Sequence, residues 1–304
     1  MKRRIDVGWL LLLTPILWGA TFPAAKLGLE RIGVYPFMAW TRLVGFVTIL
    51  LAALLLTRRE LNRAGFRRVI LPGLLLGVLI FVAYILQTEG LARTSATNAG
   101  FITGLYVVLT PILGLILFRQ PIGGAVALAV ALSVVGLTLL SVPNLESIRL
   151  RPGDALVLLS AVAWAAHVVA IGRFAGRHVP MLLSLSQMGW AALFHIAATL
   201  ALGEGLRANE AVSEAWLLLI VTGVLGSGVA YTLQVIAQSE ISPTRAVVIL
   251  AGESVAAAGF SAIWLGERLQ AHQWLGAALV LAAMALSELR ARLADIRAEA
   301  ATPV

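Results

Sequence analysis

The sequence predicts an all-α integral membrane protein with ten transmembrane helices, arranged as two inverted five-helix repeats. Three observations support this. Hydrophobic residues make up 60% of the 304 and charged residues 12%, with a mean hydropathy of +0.94. A soluble domain carries about a quarter charged residues to cover its surface. Second, the apolar residues fall into blocks of about twenty, the length a helix needs to cross roughly 30 Å of hydrocarbon. Third, the segment VAYILQ at 82–87 returns as VAYTLQ at 229–234, an offset of 231 − 84 = 147 that runs on without a gap. On that offset Ser95 and Thr97 fall on Ser242 and Thr244, Ile102 on Ile249, and Leu128 on Leu275. A duplication inside a membrane chain marks a transporter built from structural repeats.

Ten blocks are read in order: 9–27, 36–56, 69–91, 97–118, 122–142, 154–173, 180–202, 215–237, 244–265 and 272–290. They are continuous runs without strand-like alternation, which argues against a transmembrane barrel. Lys2, Arg3 and Arg4 before the first block resemble a signal-peptide n-region. Its length and lack of a small-residue cleavage pattern indicate a retained helix. Pro15, Pro23 and Pro111 remove backbone donors inside blocks one and four, and the second half has no matching interior prolines. Kinks are therefore expected mainly in the first half. Gly100 with Gly104, and the stripe Gly223, Gly226, Gly228, read as close-packing faces. The expected division is a first repeat over 1–147, a second over 148–292 and a cytoplasmic tail at 293–304.

Charge gives the orientation. With the N-terminus inside, fifteen Lys and Arg lie on cytoplasmic segments against six on outer loops (Arg31, Arg93, Arg149, Arg151, Arg207, Arg268). That asymmetry places both termini in the cytoplasm and the chain in a cell inner membrane. An offset of five helices reverses the second half. Loop 57–68 holds five arginines and one acid; its counterpart at 204–215 holds three glutamates and one arginine. The net charge of +8 thus reflects topology, and nucleic acid is not an expected partner. With no cysteine, disulfides, thiolate metal sites and thiol nucleophiles are excluded, and no P-loop for ATP-driven pumping occurs.

Several motifs resemble the EamA family of the drug/metabolite transporter superfamily. They are LLLTPILWGATFPAAK at the start, Arg42 in AWTRLVGF, GFITGLYVVLTPILGLILF in the fourth block, and TRAVVILAGESVAAAGFSAIWLGERL followed by QWLGAALVLAAMAL. The resemblance spans about 9–290 and implies ten helices in two inverted repeats, a central cavity and export of a small metabolite. The family commonly has Glu-Pro where this chain reads Glu253-Ser254, so no proline break is expected in the ninth helix.

The candidate site residues follow from depth and repeat position. Glu253 lies near the midpoint of the ninth block, where an ionisable group costs about 2.5–3.5 kcal/mol on insertion scales and should face a cavity or a partner. It is read either as a proton carrier or as a carboxyl that ties two helices together. Arg42 is read as pairing with a carboxylate such as Glu30 or Glu89, or with an anionic substrate group; the resemblance favours a structural role. Lys26 reads as snorkelling to the headgroups. Tyr84 and Gln87 share a helix face at i, i+3 and correspond to Tyr231 and Gln234. Trp18 and Trp164 correspond one residue out of register, with His167 a turn beyond Trp164. Together with Asn98 and Tyr106 (the counterpart of Glu253), these nine are the candidate substrate-binding set, with Arg42 and Glu253 supplying its charge. Each could equally be a packing residue. The histidines have no ligand-spaced partners, so neither a metal nor a cofactor is expected. Trp9, Tyr35, Trp40 and Trp274 read as interface anchors.

The expected function is secondary transport: export of small metabolites, amino acids or amphipathic compounds by alternating access, with protons as the coupling ion considered. An antiporter of phosphorylated or nucleotide-linked metabolites is the alternative, and it should carry several cavity lysines or arginines. An integral membrane enzyme would need clustered acids or histidines that this chain lacks.

Overall fold

The computed structural model describes residues 7–91, 93–94, 102–119, 122–141, 152–265 and 268–300. Every regular element among them is helical. The long helices are α1 (Val7–Ile32), α2 (Val34–Leu56), α3 (Arg63–Leu91), α4 (Tyr106–Phe118), α5 (Gly124–Ser141), α6 (Asp154–Phe174) and α7 (Pro180–Ala201). They are followed by α8 (Trp216–Gln238), α9 in two pieces (Pro243–Leu250 and Gly252–Leu265) and α10 (Ala271–Ala300). Eight are long and apolar enough to cross a membrane, while the helices at Ile102–Phe118 and Gly124–Leu140 are apolar but shorter.

Local chemistry explains the helix ends. Only Gly33 separates α1 from α2, with φ +85°, a conformation that glycine adopts without Cβ strain. Asn62 accepts the Gly65 N–H through its side chain at the start of α3, and Pro180 and Pro243 occupy first turns, where a missing N–H costs nothing. The apolar blocks understated several helices. α10 runs through Ala300, so the expected tail from 293 continues the helix as far as that residue.

The packing has an internal order. The 147-residue correspondence maps α1 to α5 onto α6 to α10. α3 packs on α7 and α8 packs on α2; α3 meets α6 and α8 meets α1; α4 meets α6 and α9 meets α1. The pairs α2–α7, α4–α9 and α5–α10 are each their own image. A two-fold relation between the halves produces this exchange of partners. Of the four apolar clusters that result among the described residues, two meet at Trp18. One gathers Leu11, Val107, Val168, Ala237, Val247 and Val280; the other gathers Ile49, Ile80, Met181, Met188 and Tyr231. Trp18 packs against both.

The irregular helices are not confined to the proline-rich half: the fourth helix is interrupted at Leu105, where Val108 N–H bonds back three residues, and two further irregularities lie in the second half. Val221–Ala230 forms ten residues of π-helix within α8, and the α9 ladder is interrupted at Ala251 although no proline is there. At that break the Ser254 N–H bonds back only three residues, to the Ala251 carbonyl. The π-helical stretch of α8 is packed closely on α2. Gly45 faces Ser227 so closely that a Cβ would run into the serine side chain, and Gly223 and Gly228 abut Val44 and Thr48 in the same way. The prolines at 15, 23 and 72 sit inside uninterrupted helices, while Pro111 follows the Leu105 interruption by six residues.

Candidate functional site

Each half contributes one tryptophan and one tyrosine to a cluster between the repeats. Tyr84 on α3 and Tyr231 on α8 are repeat equivalents, and the Tyr231 hydroxyl donates to the Tyr84 hydroxyl at 3.3 Å. Trp18 on α1 stands edge-on to Tyr231, with centroids 5.0 Å apart and planes at 65°. Trp164 on α6 stands edge-on to Tyr84 at 4.9 Å and 86°. Each tryptophan therefore meets the tyrosine of the opposite half, in the geometry favoured by ring quadrupoles. The Trp18 indole N–H donates to the Gly226 carbonyl at 3.0 Å, which ties the cluster to the π-helical stretch. Such stretches occur frequently at functional sites.

Polar groups are inserted among these rings. His167 lies 5.9 Å from the Tyr231 ring, and its Nε2–H donates to the Gln187 amide oxygen at 3.1 Å. His195 faces Tyr84 at 6.1 Å and Phe81 at 5.1 Å. Its Nδ1–H donates to the Ala191 carbonyl at 2.7 Å. Gln187 and His195 are eight residues apart, two helical turns along one face of α7. The Arg42 guanidinium lies over the Tyr84 ring, 3.8 Å from its centroid. It donates to the Ser227 hydroxyl at 2.7 Å and the Thr41 hydroxyl at 3.1 Å. Neither expected acid reaches it. Glu89 pairs with Arg93 at 2.9 Å and accepts from Tyr35, while Glu30 is exposed. Among the described residues, four buried polar atoms here lack a partner: Arg42 Nε, Gln187 Nε2, His195 Nε2 and Gln234 Oε1.

Of the sequence candidates, Trp18, Arg42, Tyr84, Trp164, His167 and Tyr231 thus come together. Gln87 instead donates to the Thr103 hydroxyl at 3.2 Å, and Gln234 is buried one turn beyond Tyr231. Of the two Tyr-Gln faces, the tyrosines meet directly. Tyr106 packs with Trp18, Val255 and Met284 around the other core. Glu253 begins the second piece of α9, near enough for its charge to act on the Tyr106 and Tyr231 hydroxyls. It makes no hydrogen bond or ion pair among the described residues. Asn98 and the Lys26 side chain lie outside the described residues. Reasoning from the sequence missed Gln187 and Ser227 and treated His195 only as an isolated histidine. The available signal was a glutamine and a histidine two turns apart within an apolar block. Among the described residues no three His, Asp or Glu side chains are placed to hold a metal ion.

The two ends of the bundle differ. At one end the halves are tied together: Arg31 donates to the Glu214 carbonyl, Trp40 to the Leu206 carbonyl at 2.7 Å, and Thr94 to Asp154, while Tyr35 donates to Glu89 within the first half. At the other, Arg245 pairs with Glu288 at 2.8 Å. A separate cavity of about 400 Å³ there is lined by Phe118, Val169, Gly172, Arg173, Gly176 and Arg177.

A profile of the EamA-like transporter family matches this chain twice, over residues 7–142 and 151–289. The chain is similar to an uncharacterized transporter of Archaeoglobus fulgidus, 32% identical over 285 residues, covering 94% of this chain and 86% of that protein. It is also similar to an uncharacterized transporter of Synechocystis, 27% identical over 333 residues, covering 100% of this chain and 97% of that protein. A solved crystal structure at 19% identity superposes with a TM-score of 0.78 over 94% of this chain and 97% of that one, a likeness of fold. Two repeats of packed apolar helices around an aromatic cluster define a multi-pass membrane transporter. The chain belongs to the EamA-like transporter family.

Proposed function

We propose that this transporter exports small amphipathic metabolites, amino acids among them, by alternating access around the Trp18–Tyr231 and Trp164–Tyr84 cluster. The observation that carries this reading is the exchange of tryptophan–tyrosine pairs between the halves. A ligand held there touches both repeats, so rocking one against the other would change its access. Flat aromatic walls with a few polar groups suit an amphipathic body. One guanidinium is little charge to offset the desolvation of a phosphate ester, which disfavours the phosphorylated-metabolite alternative. In the proposed topology all ten apolar helices cross an inner membrane and both termini are cytoplasmic. The end where Arg31–Glu214, Trp40–Leu206 and Thr94–Asp154 join the halves is then the outer end. Glu253, without a partner among the described residues, is the proposed proton site.

Reconstitution into proteoliposomes with labelled amino acids, with and without a pH gradient, tests the reading. Saturable counterflow driven by the gradient is expected, together with a change in rank order among amino acids in Tyr84→Ala. Saturable uptake of a sugar phosphate with no competition from amino acids would overturn it.

A further inference from the structure

We propose that Arg42 is the carboxylate-binding group of the central site, and that the ligand is a small organic carboxylate with an aromatic or apolar body. This inference rests on reading the cluster as the substrate site. It begins from an imbalance of charge. Arg42 is 6% exposed, eight residues into α2 and therefore about 12 Å from that helix's start. A guanidinium at such depth normally pairs with an acid or a backbone carbonyl. Among the described residues it has neither: its partners there are the Thr41 and Ser227 hydroxyls and the face of Tyr84. Its Nε–H has no acceptor among the described residues. The nearest acid in sequence on α3, Glu89, is committed to Arg93 and Tyr35.

The surroundings hold the fork still for a ligand. Ser227 belongs to the π-helical stretch and is set against Gly45, one turn beyond Arg42 on α2. The Tyr84 ring under the guanidinium is itself fixed by Trp164 and by the Tyr231 hydroxyl. A planar, preorganised guanidinium with an open N–H is the group that recognises a carboxylate through paired hydrogen bonds. The same rings would cover the apolar body, and carboxylate binding would supply the missing counter-charge. His195 Nε2, an acceptor without a partner once Nδ1–H bonds Ala191, faces the same tyrosine and suits an ammonium beside the carboxylate.

Three probes with one hydrocarbon body separate these contributions: L-phenylalanine, hydrocinnamate and phenethylamine. Binding is read by isothermal titration calorimetry on the purified full-length protein, with thermal unfolding as the control for folding. Phenylalanine and hydrocinnamate should bind at least about tenfold more tightly than phenethylamine, the range expected for a charge-assisted hydrogen-bond pair. Arg42→Gln should abolish that preference while leaving phenethylamine binding in place. Arg42→Lys, which keeps the charge without the planar fork, should retain part of it. The comparison of probes on the unaltered protein needs no variant, so misfolding of Arg42→Gln does not remove the test. Equal binding of hydrocinnamate and phenethylamine by the unaltered protein would overturn the inference and leave the proposed transport site standing. So would an Arg42→Gln protein that keeps the preference. Failure of all three probes to bind would overturn the reading of the cluster as the site, and this inference with it.

Discussion

Arg42 and Glu253 each bring an ionisable group into the apolar interior, and neither meets an opposite charge among the described residues. An inserted group of this kind is costly unless a cavity, a ligand or a proton satisfies it. Arg42 has hydroxyls and a ring face; Glu253 has no such contact. In the proposed mechanism Glu253 exchanges its proton during the cycle, so glutamine, which copies the neutral carboxyl in shape, should arrest it. Glu253→Gln is expected to lose pH-gradient-driven counterflow by about tenfold or more, the scale on which a positioned acid or base contributes, with an unchanged thermal midpoint. A wild-type rate with wild-type pH dependence would make Glu253 structural. At the rings, Tyr231→Ala removes both an edge contact with Trp18 and the hydroxyl contact with Tyr84. An aromatic pair contributes about 0.5–1.5 kcal/mol beyond burial. Because Tyr231 is also almost wholly buried, its truncation should lower stability by about 3–5 kcal/mol and shift the rank order of transported amino acids, as competition assays against a labelled substrate would show.

Single helices owe their shape to what they pack against as much as to their own composition. The π-helical stretch of α8 is seated where Gly45, Gly223 and Gly228 let α2 and α8 approach closely. Gly45→Val should wedge these helices apart and lower stability by about 1–3 kcal/mol, the range for overpacking a tight contact. Gly123→Ala, whose Cβ would meet nothing within 4 Å, should be neutral. Thermal melts of the two variants in one detergent check both expectations. This dependence on neighbours also sets what could be read beforehand. Apolar runs located the helices because crossing length is a local property. The π stretch and the Ala251 break escaped notice because no residue within either segment announces them. The site divides the same way. Tyr84 and Tyr231 were legible through the repeat, and Trp18 and Trp164 almost so. Gln187, His195 and Ser227 acquire their roles from partners on other helices, which no local spacing records.

Across the whole molecule, one relation accounts for the exchanged helix contacts, the crossed tryptophan–tyrosine pairs and the reversal of loop charge. The two halves are copies that meet the membrane in opposite senses, with the cluster between them. Orientation tests this relation most directly, and a chain without native cysteine allows it to be measured cleanly. Glu60 and Asn209 both lie exposed beside loops that correspond across the repeat. Asn62 is better left intact because it caps α3. In intact cells, a membrane-impermeant thiol reagent should label Asn209→Cys and should reach Glu60→Cys only after the membrane is opened. Labelling of both positions from the same side would contradict the inverted relation and, with it, a substrate site shared by the two halves.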